Sequence, residues 1–230
     1  PGLRAEHGLS LLIETGECRV LFDTGQGEAL QANLRAMGVT LAPLDALILS
    51  HGHYDHTGGV AGLMAECPPD RVFLHPEALR PKFARREPPP DRYIGIPPAS
   101  LDALNRFTDR ITWTASPTLV APGVWCTGAI PRKHPAAQPE GHFCLDPECR
   151  ESDPLVDDQA LVVETAAGLA VIAGCTHAGV ANTLDYVARL ARRPRLYALA
   201  GGLHLSQAPP AARQAAGDAI ERWGIRTLAP

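Results

Sequence analysis

The 230-residue sequence has no apolar run approaching the roughly 20 residues that a bilayer crossing requires. No charged-then-apolar leader opens it either, so no membrane partner is expected and cytoplasmic placement is. A surplus of basic residues is also missing. The net charge of −4 and pI of about 6.1 leave no electrostatic footprint for nucleic acid. Six cysteines, at positions 18, 67, 126, 144, 149 and 175, form no compact disulfide framework, and reduced thiols are the expectation. Internal repeats and low-complexity tracts are absent. With 45% hydrophobic residues the chain can bury a sizeable core, and its length allows one domain over 1–230.

The chain alternates strand-like and helix-like stretches. Residues 9–14 and 19–23 form an expected hairpin about Thr15-Gly16-Glu17, and 28–37 read as a helix ended by Gly38. The apolar run 46–49 reads as a buried strand, 60–64 as the start of a helix, and 71–74 as a short strand. Residues 77–85 suggest a short helical segment interrupted by Pro81, followed by a Pro-rich loop near 87–100. Strands at 111–113, 119–120 and 124–127 precede a polar insert near 133–158. Within the insert, Cys144 and Cys149 beside His142 are poorly spaced for a structural zinc, so a surface loop is expected. A second hairpin, 160–164 with 169–173, leads to a helix over 180–190 and an apolar strand at 195–200.

Two strand-to-helix turns carry the metal-competent side chains. In Ser50-His51-Gly52-His53-Tyr54-Asp55-His56-Thr57-Gly58-Gly59, extended backbone points His51 and His53 the same way, so both can hold one ion. Asp55 and His56 follow the chain toward a neighbouring position, the outline of a dinuclear site with ions about 3.5–4 Å apart. Mixed nitrogen and oxygen donors suit zinc, with iron or manganese as alternatives. The second turn, Gly174-Cys175-Thr176-His177, offers a thiol and an imidazole. Cys175 can ligate as thiolate, support a ligand from behind, or be a small buried residue. Ends of strands are where α/β proteins place function.

Several of these segments resemble the metallo-β-lactamase fold superfamily. They are Leu21-Phe22-Asp23-Thr24-Gly25, the 50–59 turn, Glu6-His7-Gly8-Leu9-Ser10, Gly128-Ala129-Ile130-Pro131-Arg132, Gly174 to Gly179 and Gly201-Gly202-Leu203-His204-Leu205. More narrowly, they resemble the dihydropterin-methyl-ribofuranosylaminobenzene phosphate synthase-like subfamily. The resemblance implies an α/β fold, the four-layer αββα metallo-β-lactamase sandwich, here expected to be clipped at both ends. It implies two zinc ions, one on His51, His53 and a donor from the Cys175 to His177 turn, the other on Asp55, His56 and His204. Asp55 can also orient the attacking hydroxide, and Asp23 braces the histidine turn from the neighbouring strand. Arg132 and His75 are candidate contacts for a substrate phosphate or carboxylate, against a reading of Arg132 as solvated loop charge. His134 reads as surface, and Asp157 and Asp158 as solvated loop charge with a carboxylate ligand as the alternative. The pattern is broken where Ala129 replaces a Glu, where Cys175 stands in place of a bridging Asp, and where a His-Cys-Thr-Gly segment is lacking. The implied activity on a small molecule is hydrolysis of an ester, lactone or phosphate bond, or a pterin-to-arylamine condensation. A silent metal-binding sensor or scaffold and a di-iron redox protein are the alternatives.

Overall fold

The structure is a computed structural model and describes residues 2–85, 92–134, 143–192, 195–206 and 208–230. In chain order it contains β1 (Leu11–Glu14), β2 (Arg19–Phe22), α1 (Ala29–Met37), β3 (Ala46–Ile48), α2 (Tyr54–Thr57), α3 (Val60–Glu66) and β4 (Arg71–Leu74). Next come β5 (Phe83–Ala84), β6 (Arg92–Tyr93), α4 (Pro98–Arg106), β7 (Ile111–Trp113), β8 (Thr118–Ala121), β9 (Val124–Cys126) and β10 (Phe143–Cys144). The chain closes with β11 (Ala160–Thr165), β12 (Gly168–Ala173), α5 (Val180–Leu190), β13 (Leu196–Gly201), α6 (Pro210–Arg222) and β14 (Thr227–Ala229). These elements divide between two compact units, Pro1–Trp113 with His142–Pro154, and Thr114–Gly141 with Leu155–Pro230. Among the described residues no helix is long and apolar enough to cross a membrane.

In the first unit a five-stranded sheet runs β1-β2-β3-β4-β7, antiparallel at β1·β2 and parallel thereafter. Parallel strands are buried on both faces. Ala46-Leu47-Ile48 is accordingly apolar at every position and wholly buried, so its following residues emerge at a fixed point on the sheet's end. Leu34 of α1, Val60, Leu63 and Met64 of α3, and Leu104 of α4 pack over Leu21, Leu47, Val72 and Leu74. Helix α1 has no capping side chain of its own. Its first amides are instead taken by Glu6, whose two carboxylate oxygens accept from the N–H groups of Gln26, Gly27, Glu28 and Ala29, while Gly38 at φ 66° closes the other end. A small sheet, β10-β5-β6, completes the unit.

The second unit is built on a six-stranded sheet ordered β14-β13-β12-β11-β9-β8. The β11·β12 hairpin pairs Ala160 with Ala173 through Thr165 with Gly168, its turn closing on Gly168 at φ 132°. Parallel pairing of β12 with β13 and β13 with β14 leaves α5 and α6 to make the crossovers. Leu184 and Val187 of α5 are fully buried against Val171 and Leu199. Each contributes roughly 1.5–3 kcal/mol of burial.

Three expectations are corrected. The segment 77–85 is a 3-10 turn, Pro76–Leu79, followed by strand β5, because Pro81 can neither continue a helix nor leave its predecessor in helical geometry. The Pro-rich loop ends earlier than position 100, since Pro98 sits in the first turn of α4, where its missing N–H costs nothing. Residues 86–91 and 135–142 of the two expected loops, His142 included, lie outside the described residues. Reduced thiols throughout are also not what is found: Cys144 and Cys149 form a disulfide, while Cys18, Cys67, Cys126 and Cys175 belong to none. A turn in which Asp146 accepts from the N–H groups of Glu148, Arg150 and Glu151 brings the two Cα atoms to 5.0 Å.

Candidate metal centre

Strand β3 ends in the 50–53 turn of the first unit, which feeds directly into α2. His53 is still extended, at φ −78° and ψ 147°, and its carbonyl accepts from the N–H groups of His56 and Thr57. At the end of the neighbouring β2, Asp23 lies completely buried at φ 59°. Its Oδ1 accepts from the Ser50 N–H at 2.7 Å, and its Oδ2 accepts from Ser50 Oγ and His56 Nδ1, both at 2.6 Å. The single hydroxyl proton of Ser50 is thereby committed to Asp23. His51 Nδ1, 2.8 Å from the same Oγ, must then be the donor in that contact.

This network fixes two tautomers at once. With Nδ1 protonated in both rings, His51 and His56 each present a lone pair at Nε2. His51 Nε2 lies 3.0 Å from His53 Nδ1, so two ring nitrogens converge, and His56 Nε2 lies 3.8 Å from an Asp55 carboxylate oxygen. The rings of His51 and His53, and of His51 and His56, sit 4.5 and 4.3 Å apart. Neutral imidazoles, held from behind by a carboxylate and turning their Nε2 edges toward one another and toward a second carboxylate, fit a divalent metal of the zinc type. Gly52 is obligatory here: a Cβ would overlap the carbonyl oxygen of Ala78 and come within 2.9 Å of Lys82 Cε.

Within the second unit, β12 leads into Gly174-Cys175-Thr176-His177. Thr176 holds φ 53° because its Oγ1 donates to the Gly202 carbonyl at 2.7 Å while Gly202 N–H donates to Gly174 at 2.7 Å. Around His177 both backbone polar groups are captured by charged side chains. Asp158 accepts from the N–H of Ala178 at 2.7 Å and from that of His177, and Arg132 Nη1 donates to the His177 carbonyl at 2.7 Å. Burial pushes the Asp158 carboxyl up to about 7, against the pull of these hydrogen bonds and of Arg132. The Cys175 sulfur lies within 4.8 Å of a His177 ring nitrogen, and the His177 and His204 rings are 4.9 Å apart. His177 is buried; Cys175 and His204 are half-buried.

The remaining candidates occupy other positions. Arg132 spends its guanidinium on the carbonyls of His177 and Leu155, the latter from Nη2 at 3.0 Å, which makes it a brace for the His177 turn. His75 is buried, and its Nδ1 accepts from Glu77 N–H as the cap of the following 3-10 turn. His134, expected at the surface, is half-buried, and its Nε2 meets Asp185 of α5 at 2.7 Å. Asp157 and Asp158, expected as solvated charge, are buried. Their place directly before β11, where the chain enters the sheet, is what takes them out of solvent.

A family model described as the metallo-beta-lactamase superfamily matches residues 3–184. The chain is 27% identical over 238 aligned positions, covering 97% of it and 79% of the relative, to 7,8-dihydropterin-6-methyl-4-(beta-D-ribofuranosyl)-aminobenzene-5'-phosphate synthase of Methanocaldococcus jannaschii. It is 32% identical over 203 positions, covering 87% of it and 73% of the relative, to an uncharacterized protein of the same organism. Among solved structures it matches Tm1679, described as a metal-dependent hydrolase of the beta-lactamase superfamily. That match has a TM-score of 0.81 and 30% identity, covering the whole chain and 82% of Tm1679.

Proposed function

Because this chain belongs to the metallo-beta-lactamase superfamily and has its α/β fold, we propose that it is a metal-dependent enzyme with two divalent ions, zinc foremost. It acts on an ester, lactone or phosphate-containing small molecule. The observation that carries this reading is the Asp23, Ser50, His51 and His56 network, which places the proton of each histidine on Nδ1 and so its ligating lone pair on Nε2. One ion is assigned to His51, His53 and a donor from the Cys175 to His177 turn. The other is assigned to Asp55, His56 and His204.

Such ions, when bound, would lower the pKa of water to about 7 and polarise a carbonyl or phosphoryl oxygen. The protein's own residues do the rest. Asp23 keeps the protons of His51 and His56 on Nδ1, so that neither ring loses its ligating lone pair. Asp55, only 15% exposed at its side chain, is placed to accept a hydrogen bond from the attacking water and so aim its lone pair. Arg132 and Asp158 hold the His177 peptide still, so that a donor on a positive-φ turn does not wander. Similarity to the M. jannaschii synthase over 97% of the chain favours a second reaction in the same site, a condensation of a pterin with an arylamine that expels pyrophosphate.

Elemental analysis of the purified protein tests the reading. About two metal ions per chain are expected, falling to one or none in both His53→Ala and His204→Ala. An unchanged count in His204→Ala removes that residue from the second site. Turnover is then sought on ester, lactone, phosphodiester and pterin substrates, and stoichiometric metal with no turnover on any of them favours a sensor.

A further inference from the structure

Helix α2 carries Asp55 and His56 on a single turn, Tyr54–Thr57, that has no capping side chain. A helix this short does not hold itself in water, so its placement is set by what touches it. One neighbour is the loop after β2. Thr24 N–H and Oγ1 both donate to the His56 carbonyl, at 2.8 and 3.0 Å, and the Gly58 N–H donates to the Gly25 carbonyl at 2.9 Å. The other neighbour is Gly8, at φ 99°, where a Cβ would overlap the Asp55 carbonyl oxygen and come 3.0 Å from the Asp55 Cβ. The ring of His56 is fixed in addition by Asp23, so of the two residues it is Asp55 whose position depends on Gly8.

Gly8 is pinned on both sides. Downstream, the Leu9 carbonyl accepts from the Gly25 N–H and Ser10 Oγ donates to the Asp23 carbonyl, both at 2.9 Å. Upstream, Glu6 Oε1 accepts from the N–H groups of Gln26 and Gly27 at 2.9 and 3.3 Å, and its Oε2 from those of Glu28 and Ala29 at 3.0 and 2.9 Å. Farther out, Arg4 N–H donates to Asn33 Oδ1 and Asn33 Nδ2 to the Arg4 carbonyl, at 2.7 and 2.9 Å, but both bonds are neutral and exposed. Hydrogen bonds to a carboxylate are roughly twice as strong as neutral ones, and Glu6 lies two residues nearer to Gly8 than Arg4 does. Glu6 is therefore the upstream anchor of the piece of chain that bears on Asp55.

We propose that Glu6 is a positioning residue for Asp55, acting through Gly8, and that it sets the affinity of the ion assigned to Asp55 and His56 without touching the ion assigned to His51 and His53. The inference rests on the metal reading above. Removing the Glu6 carboxylate leaves the downstream ties of Leu9 and Ser10 in place but frees the chain before Gly8. The backbone of Asp55 then loses the surface it rests on, and its carboxylate loses its aim. The His51 to His53 turn keeps its own support, because Ser50 and Asp23 hold it from the other side.

The test is a zinc titration of the full chain against a chromophoric chelator, which yields a dissociation constant for each ion. Glu6→Ala is expected to raise one of the two constants about 10-fold, in keeping with the loss of a support behind a metal ligand, and to leave the other unchanged. Gly8→Ala, which pushes on Asp55 with Glu6 intact, is expected to weaken the same ion. Glu6→Gln keeps the length and one accepting oxygen; it is expected to show a smaller loss at that ion, and it serves where circular dichroism finds Glu6→Ala unfolded. Two controls separate positioning from stability. Gly38→Ala strains the left-handed end of α1 and is expected to lower the thermal midpoint with both constants unchanged, and Asn33→Ala, which cuts the Arg4 tie, is expected to leave both constants unchanged as well. Two wild-type constants in Glu6→Ala overturn this inference alone, as does an equal weakening of both ions. A loss in Gly38→Ala or Asn33→Ala that matches the loss in Glu6→Ala also overturns it, since any loosening of α1 or of the N-terminal segment would then suffice. A wild type that binds fewer than two ions overturns the two-ion reading and this inference with it.

Discussion

One buried carboxylate, Asp23, orders three donors and through them two imidazole tautomers. Removing it leaves the Ser50 amide buried without an acceptor and releases His51 and His56 to either tautomer. Asp23→Ala is expected to cost about 3 kcal/mol in urea denaturation and to weaken metal binding about 10-fold to 100-fold in chelator competition. Ser50→Ala, which deletes only the hydroxyl, is expected to cost about 1 kcal/mol. Stability and affinity unchanged in Asp23→Ala would remove the brace from the account. His51, His53, Asp55 and His56 were legible as a group from their spacing alone. The hydrogen-bond roles were not, since the Ser50 proton can be assigned only when its neighbours 27 residues away are in place.

At the level of elements, strands of continuous apolar sequence were the most readable, and β4, β7 and α5 fall where their patterns put them. Short pieces after proline were not, because a 3-10 turn and a strand of two residues carry too little periodicity to separate. Helix α5 is held by polar as well as apolar contacts. Asn182 Oδ1 accepts from the N–H groups of Lys133 and His134, and Asp185 accepts from Trp223 Nε1 at 2.6 Å while meeting His134 and Arg222. Partial burial of Asp185 pushes its carboxyl up, but hydrogen bonds from His134 and Trp223 outweigh it and hold the group below its usual 3.8. A folded-state value below the unfolded one gives stability that is present above about pH 4 and lost as pH falls through the lowered value. Thermal melts of wild type and Asp185→Asn are therefore expected to differ most near pH 7 and to converge as the pH falls through the lowered value. A constant difference across that range would assign the effect to packing.

For the whole molecule, metal and stability are expected to be linked. An ion held at about 100 times its Kd stabilises the folded state by about 2.7 kcal/mol, worth about 5 to 10 °C of thermal midpoint for a chain of this length. Treatment with a strong chelator is expected to lower the midpoint by that amount and added zinc to restore it; a midpoint indifferent to both argues against resident metal. The sequence by itself determined which metal-competent side chains gather at the first turn, because the order His51, His53, Asp55, His56 at the end of a buried strand dictates which donors can face one way. It also determined the family, whose motifs run in order along the chain, and the principal hairpins, whose turn residues mark where the chain reverses. Tertiary structure alone decided which charges are structural. Arg132, Asp158 and His75 look like surface or substrate-binding groups in the sequence, yet bind backbone groups of the turns beside them. It also decided that Cys144 and Cys149 are joined. Both outcomes depend on contacts between segments distant in sequence, and burial, which sets whether a polar group must find a partner inside the protein, exists only once the chain has folded.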